Sequence, residues 1–176
     1  MIYTLVDSPI GPLRLSGDGE TLSALAFGAG AGGSARRDDA AFPQAREQLE
    51  QYFAGERRDF ELALSLFGRP FEQRVWEALR EIPYGETISY GELAGALGDR
   101  SAARAVGLAN ARNPIAVIVP CHRVVRADRL PGEYGSTLGD CGLVYKRCLL
   151  EMERSALLRD GEATPAHTMR RGTAAG

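Results

Sequence analysis

The spacing of apolar residues changes once along this chain, near residue 66, and that change limits what it can fold into. Before it, short segments alternate or read as β-branched runs. "IYTLV", "PLRLS" and "LSALAF" are separated by the turn formers "DSPIG" and "GDGE", which predicts three antiparallel strands. Residues 28–41, "GAGAGGSARRDDAA", read as a mobile loop, and a short helix is expected from Pro43 to Phe53. In "DFELALSL" the residues Phe60, Leu62, Leu64 and Leu66 fall on one face, the pattern of a half-buried strand. Residues 1–66 thus form a small α/β unit. It contains neither Cys nor His, so it offers no soft metal site.

After residue 66 the spacing becomes helical. Phe71, Val75, Leu79 and Ile82 make one apolar stripe, and this helix should stop near Pro83-Tyr84-Gly85. Residues 87–110 carry two further helix signatures joined by a tight turn. Ser89 and Glu92 have capping-box spacing. Tyr90, Leu93, Ala94 and Leu97 follow at i, i+3, i+4 and i+7, and Gly98 suits the stop. Ser101 is placed to cap the second helix, with Ala102, Ala105, Val106 and Ala109 as its buried face. The pattern suits a helix-turn-helix. Arg104 falls opposite that face between the small residues Ala103 and Gly107, as either a groove-directed cation or an ordinary surface arginine. The tail from 158 has few large apolar groups and reads as disordered. The expected division is 1–66, 67–157 and 158–176.

Composition excludes several classes of function. At 176 residues, 44% hydrophobic and 25% charged, the chain resembles an ordinary globular protein, with no apolar run that spans a bilayer. Its start lacks the basic and apolar segments of a signal peptide. An odd three cysteines (121, 141, 148) suggest free thiols in a reducing cytoplasm. The net charge is −2, yet residues 100–129 hold six arginines against Asp128. That is either a phosphate-binding patch or a solvated surface balanced by acids elsewhere.

The chemistry concentrates in "IAVIVPCHRVV", residues 115–125. The apolar run reads as a buried strand that delivers Cys121 and His122 to its end. Spacing disfavours a zinc site. Residue types alone leave open a cysteine nucleophile with a histidine base and a small buried structural cysteine. Adjacent residues of an extended chain point to opposite sides, so adjacency alone does not imply direct Cys–His contact.

"PCHRVV" (120–125) and the preceding "ARAVGLANARNPIAVIV" (103–119) closely resemble the active-site region of the O6-alkylguanine-DNA alkyltransferases. These are also called methylated-DNA–protein-cysteine methyltransferases. "FEQRVWEALREIPYGETISYGELA" (71–94) and "GLVYKRCLLEME" (142–153) extend the resemblance over residues 68–154. It implies a ribonuclease-H-like α/β subdomain followed by a mainly helical domain with a helix-turn-helix. It also implies that Cys121 accepts an alkyl group and that His122 activates it through a water. Glu153 would polarise the histidine, Asn113 would hold the turn, and Tyr90 would assist at the leaving guanine and a neighbouring phosphate. Arg104 would enter the duplex where the target base had stood, with Ala103, Gly107, Ser101 and Arg112 also facing DNA. The Val124 carbonyl and Tyr134–Gly135 would line the base pocket.

The implied partner is alkylated double-stranded DNA, bound in the minor groove largely without regard to sequence, by a monomer or cooperatively. The implied reaction is irreversible transfer from O6-alkylguanine and O4-alkylthymine, once per molecule, with no cofactor. A non-catalytic relative that only recognises alkylated DNA is the alternative, but such relatives typically lack the acceptor cysteine. Two departures from the family pattern stand out. Ligands for the N-terminal zinc of some members are missing, so no metal is expected. The loop 132–143 is longer than usual, and its glycines predict mobility.

Overall fold

The structure is a computed structural model that describes residues 1–30, 34–132 and 139–161, the last from 139 to 141 as backbone only. The three expected strands form as β1 (Ile2–Val6), β2 (Leu13–Gly17) and β3 (Leu22–Phe27). They pair antiparallel in register Thr4↔Leu15 and Leu15↔Leu25. β2 lies between the other two and is buried along its whole length. The segment expected to be loop contributes β4 (Arg36–Arg37), parallel to β1. The sheet is therefore mixed, in the order β3-β2-β1-β4.

Helix α1 (Pro43–Ala54) lays Ala45, Leu49 and Tyr52 into the core and ends at Gly55, φ 79°. That left-handed stop is easiest for glycine. The alternation in 59–66 survives as alternating exposure, but a regular strand does not form. The segment crosses β3 at one place, where Leu22 donates to the Ala63 carbonyl (2.9 Å) and accepts from Ser65 N–H (2.9 Å). Phe60, Leu62, Leu64 and Leu66 still pack against the core. The apolar period recorded which face is buried and carried no information about a partner along the strap.

Helix α2 (Pro70–Arg80) buries Val75, Trp76 and Leu79, and Ile82 follows in the turn. A two-residue strand β5 (Ile88–Ser89) leads into α3 (Tyr90–Ala96). The capping box is present: Glu92 N–H donates to Ser89 Oγ (3.2 Å), and Ser89 N–H to Glu92 Oε2 (2.7 Å). A 3₁₀ turn at Arg100–Ala102 precedes α4 (Ala103–Ala111). Here two expectations are corrected. Ser101 does not cap α4; its backbone N–H (2.8 Å) and hydroxyl (2.6 Å) both donate to Asp99 Oδ1, because the aspartate reaches the first free N–H groups one turn earlier. The buried side of α4 is Val106, Ala109 and Asn110, while Ala105 is exposed. The helix is turned so that Trp76 Nε1 donates to the Ala109 carbonyl (2.9 Å) and Asn110 faces the turn that holds Cys121.

Strand β6 (Val124–Val125) pairs in parallel with β5. The last helix, α5 (Gly139–Arg159), runs two residues past the expected start of the tail. Its final turn is held by buried Ala156 and Leu157, and Asp160 pairs with Arg58 at 2.7 Å. The rest of the tail, 162–176, and the centre of the long loop lie outside the described residues, as do Tyr134 and Gly135. Among the described residues, no helix is long and apolar enough to cross a membrane, and no cluster of metal-ligating side chains occurs.

Candidate active site

The apolar run before Cys121 is a compact buried turn instead of the expected strand. Ile115 makes one bridge to Leu25 of β3, with Leu25 N–H on the Pro114 carbonyl at 2.9 Å. The chain then reverses, with Val117 at φ 71° and Val119 N–H donating to the Ile115 carbonyl (3.0 Å). Asn113 replaces the missing partner strand. Its Oδ1 accepts from Ile115 N–H (3.1 Å) and its Nδ2 donates to the Val119 carbonyl (2.8 Å). Burial is complete for Ile115, Val117 and Val119, so a hydropathy pattern cannot separate this turn from a strand.

Those bonds fix which way the Asn113 amide points. Its Nδ2 also donates to Cys121 Sγ, at 2.9 Å. Cys121 is 4% exposed and opens a 3₁₀ turn, Cys121–Arg123. Asn110 Nδ2 donates to the Cys121 carbonyl at 3.3 Å. The turn sends successive side chains in different directions, and His122 and Arg123 both reach Glu153 on α5.

Glu153 is fully buried and accepts from several donors. Its Oε1 lies 2.8 Å from His122 Nε2, 2.9 Å from Arg123 Nη2 and 2.7 Å from Tyr52 Oη. Its Oε2 accepts from Arg123 Nε (3.1 Å) and Gly85 N–H (2.9 Å). Arg123 Nη1 donates to the Ile82 carbonyl at 2.6 Å. Burial alone would raise the carboxyl pKa, but His122 and Arg123 outweigh it and hold it well below the usual carboxylate range. The same carboxylate outweighs burial at Arg123 and raises that guanidinium. For His122 burial wins over Glu153 and lowers the imidazole, so the ring is neutral. A carboxylate only accepts, so Nε2 carries the ring proton and Nδ1 is the bare acceptor. Nδ1 is buried and has no hydrogen-bond partner among the described protein atoms.

Lys146, one more member of this site, did not figure in the residue-type reasoning. It is fully buried, and burial lowers its pKa to about 8, with the Cys121 sulfur opposing that shift. Its Nζ donates to Tyr90 Oη at 3.4 Å and sits 5.6 Å from the centre of that ring. Lys146, Leu149 and Glu153 share the buried face of α5 at i, i+3 and i+7. A lysine and a glutamate on an otherwise apolar stripe were the available signal. Tyr52, 101 residues from Glu153 in sequence, left no local signal at all.

The structure therefore brings Cys121, His122, Asn113 and Glu153 together and links Tyr90 to them through Lys146. Val124 is buried in β6 directly after the 3₁₀ turn. Arg104 is exposed on α4 beside Ala105 and Leu108, the latter 57% exposed. Ala103 and Gly107, expected beside it, are half-buried instead. Gly107 lies against the Tyr90 ring, where an added Cβ would be 3.8 Å from Cδ1. Arg112 is tied to Glu72 at 2.8 Å and Ser101 to Asp99.

Known proteins of similar sequence and fold point to one family. Residues 70–155 match the DNA-binding domain of 6-O-methylguanine DNA methyltransferase, and residues 1–66 match its ribonuclease-like domain. The methylated-DNA–protein-cysteine methyltransferase of Mycobacterium tuberculosis is 50% identical over 157 residues, 87% of this chain and 92% of that protein. That of Methanosarcina acetivorans is 47% identical over 160 residues, 88% and 99% of the two chains. The Mycobacterium tuberculosis OGT solved in complex with DNA superposes with TM-score 0.82 at 50% identity, covering 89% of this chain and 94% of its own. With two matched domains and half its residues shared over most of its length, the chain belongs to the methylated-DNA–protein-cysteine methyltransferase family.

Proposed function

We propose that the protein repairs O6-alkylguanine, and O4-alkylthymine, in duplex DNA by moving the alkyl group onto Cys121. The observation that carries this reading is the Asn113 amide donating to Cys121 Sγ, because a sulfur held by a fixed donor is favoured as thiolate. An unperturbed thiol has pKa about 8.5, so a base is useful at neutral pH. His122 Nδ1 is that base, taking the thiol proton through a bridging water while Glu153 holds the opposite ring nitrogen. The thiolate attacks the alkyl carbon; a C–S bond forms and the C–O6 bond breaks, with its electron pair going to the guanine. Tyr90 donates a proton to the departing base, and the Lys146 ammonium on its oxygen makes the phenol a stronger donor. The thioether product is not hydrolysed, so each molecule acts once.

The target atom is buried in a duplex, so its nucleotide must leave the stack. Arg104 is the side chain placed to fill the gap, projecting from the exposed face of α4 with small Ala105 at its side. Minor-groove binding with little sequence preference is what the resemblance to the family implies, and exposed, small Ala105 beside Arg104 suits a close approach to a narrow groove. The free thiols of Cys121 and Cys148 fit a reducing cytoplasm.

The test is intact mass after mixing with duplex DNA containing O6-methylguanine. One methyl on Cys121, and none in Cys121→Ser, is expected. Unchanged mass with tight binding would make the chain a recognition module. Methylation at Cys141 or Cys148 would refute the assignment of the acceptor.

A further inference from the structure

Tyr52 belongs to the N-terminal unit, which supplies none of the residues so far given a chemical role. Its ring is fully buried among Phe53, Phe60 and Tyr84, with centroid distances of 5.3, 5.3 and 5.9 Å. Phenylalanine would fill that space equally well. The hydroxyl needs a separate reason, because burying one without a partner is costly. Its partner is Glu153 Oε1, at 2.7 Å, the same oxygen that lies 2.8 Å from His122 Nε2.

We infer that Tyr52 is a positioning residue of the transfer reaction, through which the N-terminal unit sets the proton affinity of the His122–Glu153 pair. The inference rests on the alkyl-transfer reading above. Burial raises the Tyr52 phenol well above its ordinary range, so it stays protonated and is an obligatory donor. A donor on Oε1 withdraws electron density from the atom that holds the His122 N–H. It therefore weakens the pull of the carboxylate on the imidazolium form and keeps His122 neutral at working pH.

The other charged or titratable groups here come from every element packed on the pair. Arg123 reaches Glu153 from the 3₁₀ turn, and Lys146 faces His122 and Cys121 from α5. Tyr84, between α2 and β5, faces Glu153 and Arg123 and is flanked by Arg58 and Arg159. Asp59 acts on Arg123 from the strap after α1. None of these except Arg123 also donates to Oε1. Arg123 divides its donors between both oxygens, whereas Tyr52 binds Oε1 alone.

The experiment measures benzyl transfer from free O6-benzylguanine across pH, since that substrate requires no base flipping. In Tyr52→Phe the carboxylate becomes more basic and His122 protonates more easily. The acid limb of the rate profile should then move to higher pH by about half a unit. Replacing Tyr52 with 3-fluorotyrosine makes a stronger donor and should move the limb the other way. A purely structural role would lower the melting temperature of Tyr52→Phe and leave the limb in place. Profiles that coincide for wild type and either folded variant overturn the inference. If Tyr52→Phe does not fold, the fluorotyrosine protein decides alone. Wild-type protein that never modifies Cys121 refutes the alkyl-transfer reading itself; normal wild-type transfer with coincident profiles refutes only Tyr52.

Discussion

Replacing Arg123 with methionine separates the stability of the site from its chemistry. The guanidinium is almost fully buried, holds both Glu153 oxygens and satisfies the Ile82 carbonyl. Methionine keeps the apolar bulk but leaves a buried carboxylate without its cation. Breaking such a pair from one side typically costs about 3–5 kcal/mol, a large part of the about 5–15 kcal/mol that holds an ordinary domain folded. For a chain of this length each kcal/mol is worth about 2–4 °C, so a fall of about 10 °C in Tm is expected by circular dichroism.

The acid response gives a second reading of the same variant. In the wild type the Glu153 pKa is held down in the folded state, so its contribution is present above the unfolded value of about 4.3. That contribution is lost as pH falls through the lower folded value. In Arg123→Met the folded value rises, and acid unfolding should begin at higher pH. The double variant Arg123→Met/Glu153→Gln should lose less than the sum of the two single losses, because the uncompensated charge is gone. A Tm change below about 2 °C in the single variant, or strictly additive losses in the double, would refute the argument.

Two other variants test separate parts of the site. Arg104→Ala should slow repair of duplex DNA at least about tenfold, worth about 1.4 kcal/mol, and leave transfer from free O6-benzylguanine within a factor of two or so. Equal losses on both substrates would place Arg104 in the pocket or the fold. Lys146→Met removes a lysine whose folded pKa of about 8 lies below the unfolded value of about 10.4. The unfolded state binds more protons between those values, so wild-type stability should rise with pH across that window. The variant should show no such rise, while its transfer slows because Cys121 and Tyr90 lose a cation; a rise unchanged in the variant would show that another group causes it.

The sequence by itself determined the elements whose signals are local. Three strands, α1, α2 and α3 fall where alternation, helical stripes and the Ser89–Glu92 capping box place them. The Pro-Cys-His-Arg core proposed as the reactive one was also legible, since its side chains are neighbours in the chain. Only the tertiary structure decided what lies beneath that core. Uniformly apolar residues 115–119 carry no period, so the Asn113 side chain, acting as a substitute strand, turned an expected strand into a tight loop. The face of α4 was set by contacts with Trp76 and the Cys121 carbonyl, which shifted Ala105 to the surface and Gly107 against Tyr90. The donors on Glu153 come from α1, the turn before β5, and the 3₁₀ turn. Their convergence depends on packing between segments up to 101 residues apart. Local propensity acts over a few bonds, whereas a buried carboxylate gathers donors from wherever the fold brings them.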